Sequence, residues 1–175
     1  VFKVTIVSRG QMGGYTRFLP EEDRSLWTTA QFRDRIGAAM GGMAAEEIVF
    51  KDVTTGASSD LEQATNIARS MVTRYGMSVK LGPRTFGKRE EMVFLGKEIS
   101  EQRDYSEGVA ATIDEEVKEI VDTAYQKASE IITSNRDKLE KLAQYLIQNE
   151  TIEADELIAL LDGELSTSDS ISSSS

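Results

Sequence analysis

A mainly α fold, a bundle-like set of helices with one small antiparallel β-hairpin at the N-terminus, is the architecture these 175 residues predict. Three observations carry that expectation. Strict apolar–polar alternation occurs only at the start, where Phe2, Val4 and Ile6 interleave with Lys3 and Thr5. From Thr28 onward the apolar residues recur instead at the spacing of helices. The chain is also long enough to close a proper core as one domain.

The elements follow in order along the sequence. Val1–Ser8 reads as a half-buried strand, and a turn at Gly13–Gly14 leads to a second strand around Gly14–Leu19, ended by Pro20. Glu21–Asp23 is an acidic, exposed loop. Thr28 or Thr29 then caps a helix marked by Phe32, Ile36, Met40, Met43, Glu47 and Ile48. Its middle, Gly37–Ala45, is rich in Gly and Ala, which lets neighbouring backbones approach closely. A second helix begins after Thr54-Thr55-Gly56, where Ser59 and Glu62 have the spacing of a capping box. It buries Leu61, Ala64, Ala68, Met71, Val72 and Tyr75 and stops at Gly76. Met71 and Met77 read as packing residues, not sulfur ligands.

From Ser78 to about Ser100 the periodicity breaks at Gly82-Pro83, Gly87 and the charged run Lys88–Glu91, and a long mobile connection is expected. A long helix from about Tyr105 to Ser134 carries Val109, Ile113, Val117, Ala124, Ala128 and Ile131 on its apolar stripe. Asp114 pairs with Lys118 one turn on, and Asp114, Glu115, Glu116 and Glu119 form a solvated face. Asn135 caps a shorter helix with Leu139, Leu142, Ala143, Leu146 and Ile147. Thr151-Ile152 introduces a last one with Leu157, Ile158, Leu160 and Leu161. One folded domain is expected over residues 1–165, followed by a disordered Ser-rich tail, 166–175, which has nothing to bury.

Composition excludes several function classes. A net charge of −10 without a basic cluster argues against nucleic acid as a partner. Zero cysteines exclude disulfides and thiolate metal sites and suit a reducing compartment. No apolar run approaches the ~20 residues of a membrane span. The glycines at Gly10–Gly14 and Gly41–Gly42 are not followed by Gly-Lys-Ser/Thr, so neither is a phosphate-binding loop.

The most informative stretch is Thr54–Thr65, T-T-G-A-S-S-D-L-E-Q-A-T, with Asp60 in the first turn of the helix it opens. An aspartate there has a fixed backbone and an outward side chain. That suits a carboxylate meeting a metal at one defined point, and equally one that only complements the helix dipole. Glu46 and Glu47 stand about 100° apart on their helix, too divergent to share a proton or a metal, and read as structural or solvated.

The linked motifs G-G-M-A-A-E-E-I-V-F (Gly41–Phe50), T-T-G-A-S-S-D-L-E-Q-A-T and M-V-T-R-Y-G-M-S (Met71–Ser78) together resemble the peptidase domain of the FtsH family, membrane-anchored, ATP-dependent zinc proteases. V-F-K-V-T-I-V-S-R-G (Val1–Gly10), Gly13–Asp23, Phe94–Gly96, Ile113–Val117, Ala124–Ala128 and Glu150–Ile152 extend the resemblance to about Leu161. In that family the zinc ligands are the two histidines of H-E-x-x-H and a later aspartate, to which Asp60 corresponds. The glutamate between the histidines is the general base.

This sequence contains no histidine. On the family pattern H-E-x-x-H lies about a dozen residues before Val1, so the chain is expected to be a cut piece that begins just after it. The general-base glutamate is expected there too, leaving no catalytic residue in these 175 and making them inactive alone. The resemblance further implies Zn²⁺ bound with the upstream histidines, ATP used through an absent ATPase module, and protein or peptide substrates. It implies a homohexamer and a membrane anchor, both carried by absent upstream parts, with this domain in a reducing aqueous compartment. The bacterial inner membrane, cytoplasmic side, is the expected location, and organelles house the same family. An edge strand of the family aligns substrate; which strand here would do so stays open. The stretch after Ser78 corresponds to one near the proteolytic site. The second hypothesis is a non-proteolytic helical assembly subunit, in which Asp60 is only a helix-start residue.

Overall fold

The computed structural model describes residues 1–8, 14–17, 26–87 and 104–163. These fall into two compact units, one from Leu26–Thr133 and one from the chain ends, Val1–Ser25 with Ser134–Ser175.

The central unit is helical. Helix α1 (Thr29–Phe50) starts at Thr28, whose extended backbone (φ −88°, ψ 160°) frees its hydroxyl to accept from Gln31 N. The Gln31 side chain accepts in turn from Thr28 N at 2.9 Å, so two otherwise orphaned N–H groups are satisfied reciprocally. Lys51 ends the helix in the left-handed region (φ 58°), its N–H donating to the Glu47 carbonyl. Helix α2 (Ser58–Thr73) and helix α3 (Glu107–Ser134) complete the unit. Its core joins Ile36, Met40 and Ala44 of α1, Ala64, Ala68, Met71 and Val72 of α2, and Ile113 and Val117 of α3.

Several expectations shift here. Leu61 and Tyr75 are exposed, not on the buried stripe of α2. Leu61 sits in the outward first turn, and Tyr75 lies past the helix end, where the repeat no longer sets its direction. The Tyr75 ring stacks on Phe32 instead, 5.3 Å between centroids. Gly37 and Gly41 admit no close neighbour: nothing among the described residues lies within 4 Å of a Cβ built on either. The connection after α2 is packed at its beginning. Ser78 is buried and accepts from Leu81 N at 3.0 Å, and buried Phe86 donates from its N–H to the Thr73 carbonyl at 2.9 Å. Gly76 takes φ +61°, and a Cβ there would stand 3.1 Å from Pro83 Cα, so any side chain at this turn would be strained. Gly87 N donates to Asp104 Oδ1 at 2.8 Å; the remainder of the connection expected to be mobile, from Lys88 to about Ser100, lies outside the described residues.

On α3 the expected Asp114–Lys118 pair gives way to Asp114–Arg69, 3.2 Å, while Lys118 pairs with Asp122. Glu116 is not solvated: it is buried among the core-facing residues and held by Lys80 at 3.3 Å, with Glu119 on the same ammonium at 3.0 Å. The bonds to Glu119 and then Glu116 raise the Lys80 pKa above its ordinary value. Exposed Ile131 corrects the stripe at its C-terminal end.

The terminal unit holds a three-stranded antiparallel sheet in the order β2-β1-β3: β1 (Lys3–Thr5), β2 (Tyr15–Arg17) and β3 (Thr151–Glu153). The expected hairpin is there, with Lys3 opposite Arg17 and Thr5 opposite Tyr15. A Cβ on Gly14 would fall 2.6 Å from the Thr5 carbonyl oxygen, so the approach of the second strand requires glycine. Its expected end, Leu19-Pro20, and the loop Glu21–Asp23 lie outside the described residues. The third strand is the addition. Thr151-Ile152 does not simply introduce a helix; it pairs with β1, Val4 opposite Ile152, before α5 (Ala154–Asp162) begins.

Helix α4 (Arg136–Asn149), with Asn135 at its N-cap position, packs Tyr145 and Leu146 with Ile152, Leu157 and Leu160. Tyr145 takes the place expected of Ile147, which is exposed. The expected apolar face of β1 holds only at its centre: Val4 packs on this cluster, whereas Phe2 and Ile6 are exposed and Thr5, on the other face, is buried. The Thr5 hydroxyl donates to the Glu150 carbonyl at 3.0 Å and accepts from Val7 N and from Thr151 Oγ1, 2.8 Å. Thr5→Val keeps the shape and strands these partners, so it should cost about 1–3 kcal/mol. Chemical denaturation followed by circular dichroism reads this; an unchanged midpoint would show that the hydroxyl contributes nothing. The Ser-rich tail, 166–175, lies outside the described residues.

Candidate functional site

Asp60 lies in the first turn of α2, exposed, as the sequence placed it. How the helix starts differs from the capping-box expectation. Thr55–Ala57 form a 3₁₀ turn that runs straight into α2, and Ser58 is already helical (φ −60°, ψ −42°). A cap must be extended at its own backbone, so Ser59, wound inside the helix, cannot serve as one. The extended residue is Thr54 (φ −103°, ψ 173°), whose hydroxyl accepts from Gly56 N at 3.1 Å. The capping has moved one turn upstream.

Across from Asp60 lies α1. A Cβ on Gly42 would come 3.7 Å from Asp60 Oδ2, so the carboxylate rests over a side-chain-free patch of that helix. Glu46, one turn further along α1, reaches the loop between the helices. Its two carboxylate oxygens accept from Thr54 N at 2.9 Å and from Thr54 Oγ1 at 3.0 and 3.2 Å. Glu46 is therefore structural, as its sequence position indicated, while Glu47 is exposed. Neither the Gly42 approach nor the Glu46–Thr54 bond was read from the sequence. A hydroxyl residue just past a helix stop, facing a carboxylate two turns back, was the available signal for the second.

These residues offer a metal one carboxylate on a rigid helical turn, in a place where the helix N-terminus favours negative charge. Among the described residues no three His, Cys, Asp or Glu side chains converge as a metal-binding group, and the sequence has neither His nor Cys. Zinc takes about three or four protein ligands. Asp60 thus fits one corner of such a site, and the residues present do not complete it. A groove of about 510 Å³ lines the neighbouring face of α2, between Ser59, Gln63, Asn66 and the stacked rings of Phe32 and Tyr75, without touching Asp60. No helix among the described residues is long and apolar enough to cross a membrane.

Peptidase family M41 matches residues 1–160. The chain is 57% identical over 162 residues to the ATP-dependent zinc metalloprotease FtsH 1 of Sphaerobacter thermophilus, covering 93% of this chain and 25% of that protein. It is 51% identical to FtsH of Thermotoga maritima, over 94% of this chain and 27% of the relative. Against FtsH of Bacillus subtilis the figures are 48%, 93% and 26%. The chain thus spans about a quarter of the length of these relatives.

Proposed function

The chain belongs to peptidase family M41, the FtsH peptidase domain, and from that premise we propose that it supplies the aspartate ligand of a zinc endopeptidase acting on unfolded or membrane proteins. The observation that carries the reading is Asp60, fixed on the first turn of α2 against the bare backbone of Gly42. With no histidine in these residues, two imidazoles and the general-base glutamate come from H-E-x-x-H outside them, and the 175 residues alone are inactive. Zn²⁺ bound there supplies Lewis-acid polarisation of the scissile carbonyl and activation of water. Asp60 fixes one corner of its coordination. Its helix keeps that corner still, and the network around Glu46 and Thr54 steadies the loop before it. ATP use, a hexameric ring and a membrane anchor belong to this reading as properties of the full-length protein, with the domain in the cytoplasm of a bacterial cell.

Stripping metal from the full-length protein with a chelator should abolish ATP-dependent cleavage of an unfolded substrate, and zinc alone should restore it. Cleavage that persists in protein shown by metal analysis to be zinc-free would overturn the reading. A full-length protein with neither zinc nor cleavage would point to the non-proteolytic assembly subunit instead.

A further inference from the structure

A carboxylate from α1 closes the loop between α1 and α2. Glu46 holds both the N–H and the hydroxyl of Thr54, and that same hydroxyl accepts from Gly56 N. A Cβ on Gly56 would stand 3.1 Å from Glu46 Oε1 and 3.2 Å from Thr54 Oγ1, so the chain folds tightly over the pair. These bonds span the left-handed stop at Lys51 and the 3₁₀ turn, the two places where the chain changes direction before α2. The first turn of α2 has no side-chain cap of its own. Its starting point is therefore set by Thr54, and Thr54 is set by Glu46. Four residues beyond the 3₁₀ turn's second residue stands Asp60, facing Gly42 on the same helix that carries Glu46.

We propose that Glu46 is a positioning residue: through Thr54 it fixes the start of α2 relative to α1 and so holds the Asp60 carboxylate where it can ligate a metal. This rests on the reading of Asp60 as a zinc ligand. Both Glu46 oxygens are engaged by Thr54, so the role assigned to it acts through that residue. An ionised acceptor binds an N–H and an O–H more strongly than a neutral one, and two donors on one carboxylate leave the loop little rotational freedom. Loss of the clamp would let Asp60 wander by the small displacements that ligand geometry does not tolerate.

The test is the zinc affinity of the full-length protein, measured by competition with a chromophoric chelator. Glu46→Gln and Thr54→Val should each weaken zinc binding roughly tenfold, as loss of an outer-shell partner does, with thermal unfolding still cooperative. Thr54→Ser, which keeps the hydroxyl, should bind zinc like the unmodified protein. In an Asp60→Asn background Glu46→Gln should add nothing, since its effect passes through Asp60. Zinc affinity unchanged by Glu46→Gln and Thr54→Val, while Asp60→Asn weakens it, would overturn the positioning role alone. An effect of Glu46→Gln that persists undiminished in the Asp60→Asn background would overturn it as well. Unchanged affinity in Asp60→Asn itself would instead remove the ligand reading on which it rests.

Discussion

Asp60→Asn is expected to leave the full-length protein nearly free of zinc and without proteolysis, while its fold survives. The amide has the shape of the carboxylate but no charge, and zinc prefers an anionic oxygen beside neutral imidazoles. Affinity should fall by at least about a hundredfold, the upper end of the loss caused by removing an outer-shell partner. Stability should change by no more than about 1 kcal/mol, because the only structural role open to an exposed first-turn aspartate is to complement the helix dipole. Zinc per chain by metal analysis, read beside a melting curve, separates the two. Unchanged occupancy with lost stability would make Asp60 a helix-start residue and nothing more. Gly42 gives the companion variants. Its built Cβ lies 3.7 Å from Asp60 Oδ2, an ordinary contact. Gly42→Ala should leave zinc in place, whereas Gly42→Leu, which reaches further, should displace the carboxylate and lower occupancy as Asp60→Asn does.

Ala68→Leu is expected to destabilise the central unit by about 1–3 kcal/mol or more, the usual cost of forcing extra methylenes into a filled core. Ala44, Ala64 and Ala68 are all fully buried, and the core between α1 and α2 depends on their small size. A leucine there must push the helices apart or leave its rotamer. Gly37→Ala on the open face of α1 is the contrast: with nothing within 4 Å to meet the new methyl, it should stabilise by about 0.5–1 kcal/mol through helix propensity. Urea denaturation measures both. An unchanged midpoint for Ala68→Leu would mean that the seam has room to spare.

Much of this was legible in the residues. Helical spacing located α1 through α5, since Ile36, Met40, Ala68, Met71, Ile113 and Leu160 are apolar at the positions the helices bury. The place of Asp60 in a first helical turn was legible because turn chemistry, Thr54-Thr55-Gly56, precedes that helix. Most of what the sequence concealed was nonlocal. Thr151–Glu153 carries no alternation long enough to announce a strand; it becomes one only because β1 offers an edge. Glu116 looks like its solvated neighbours until Lys80 arrives from another segment to neutralise it. The cap at Ser59 was misplaced because the 3₁₀ turn ahead of α2 starts the winding early. Local patterns report local free energy; the first two of these features are decided by partners distant in the chain, the third by a competing turn next door.

Within these residues the middle strand of the sheet is made first, and its second partner comes long after it. Lys3 of β1 waits for Glu153, while the whole of Leu26–Thr133 is synthesised in between. Contacts of that separation form late because closing the intervening chain is entropically unfavourable. The central helices, contiguous in sequence, have all their core residues out before β3 exists. One side of β1 therefore stays an unpaired edge until Thr151–Glu153 have been made, an interval in which an extended strand is exposed to pairing with the wrong chain. A premature stop between Thr133 and Thr151 would leave that edge open permanently while sparing every residue of the helical core.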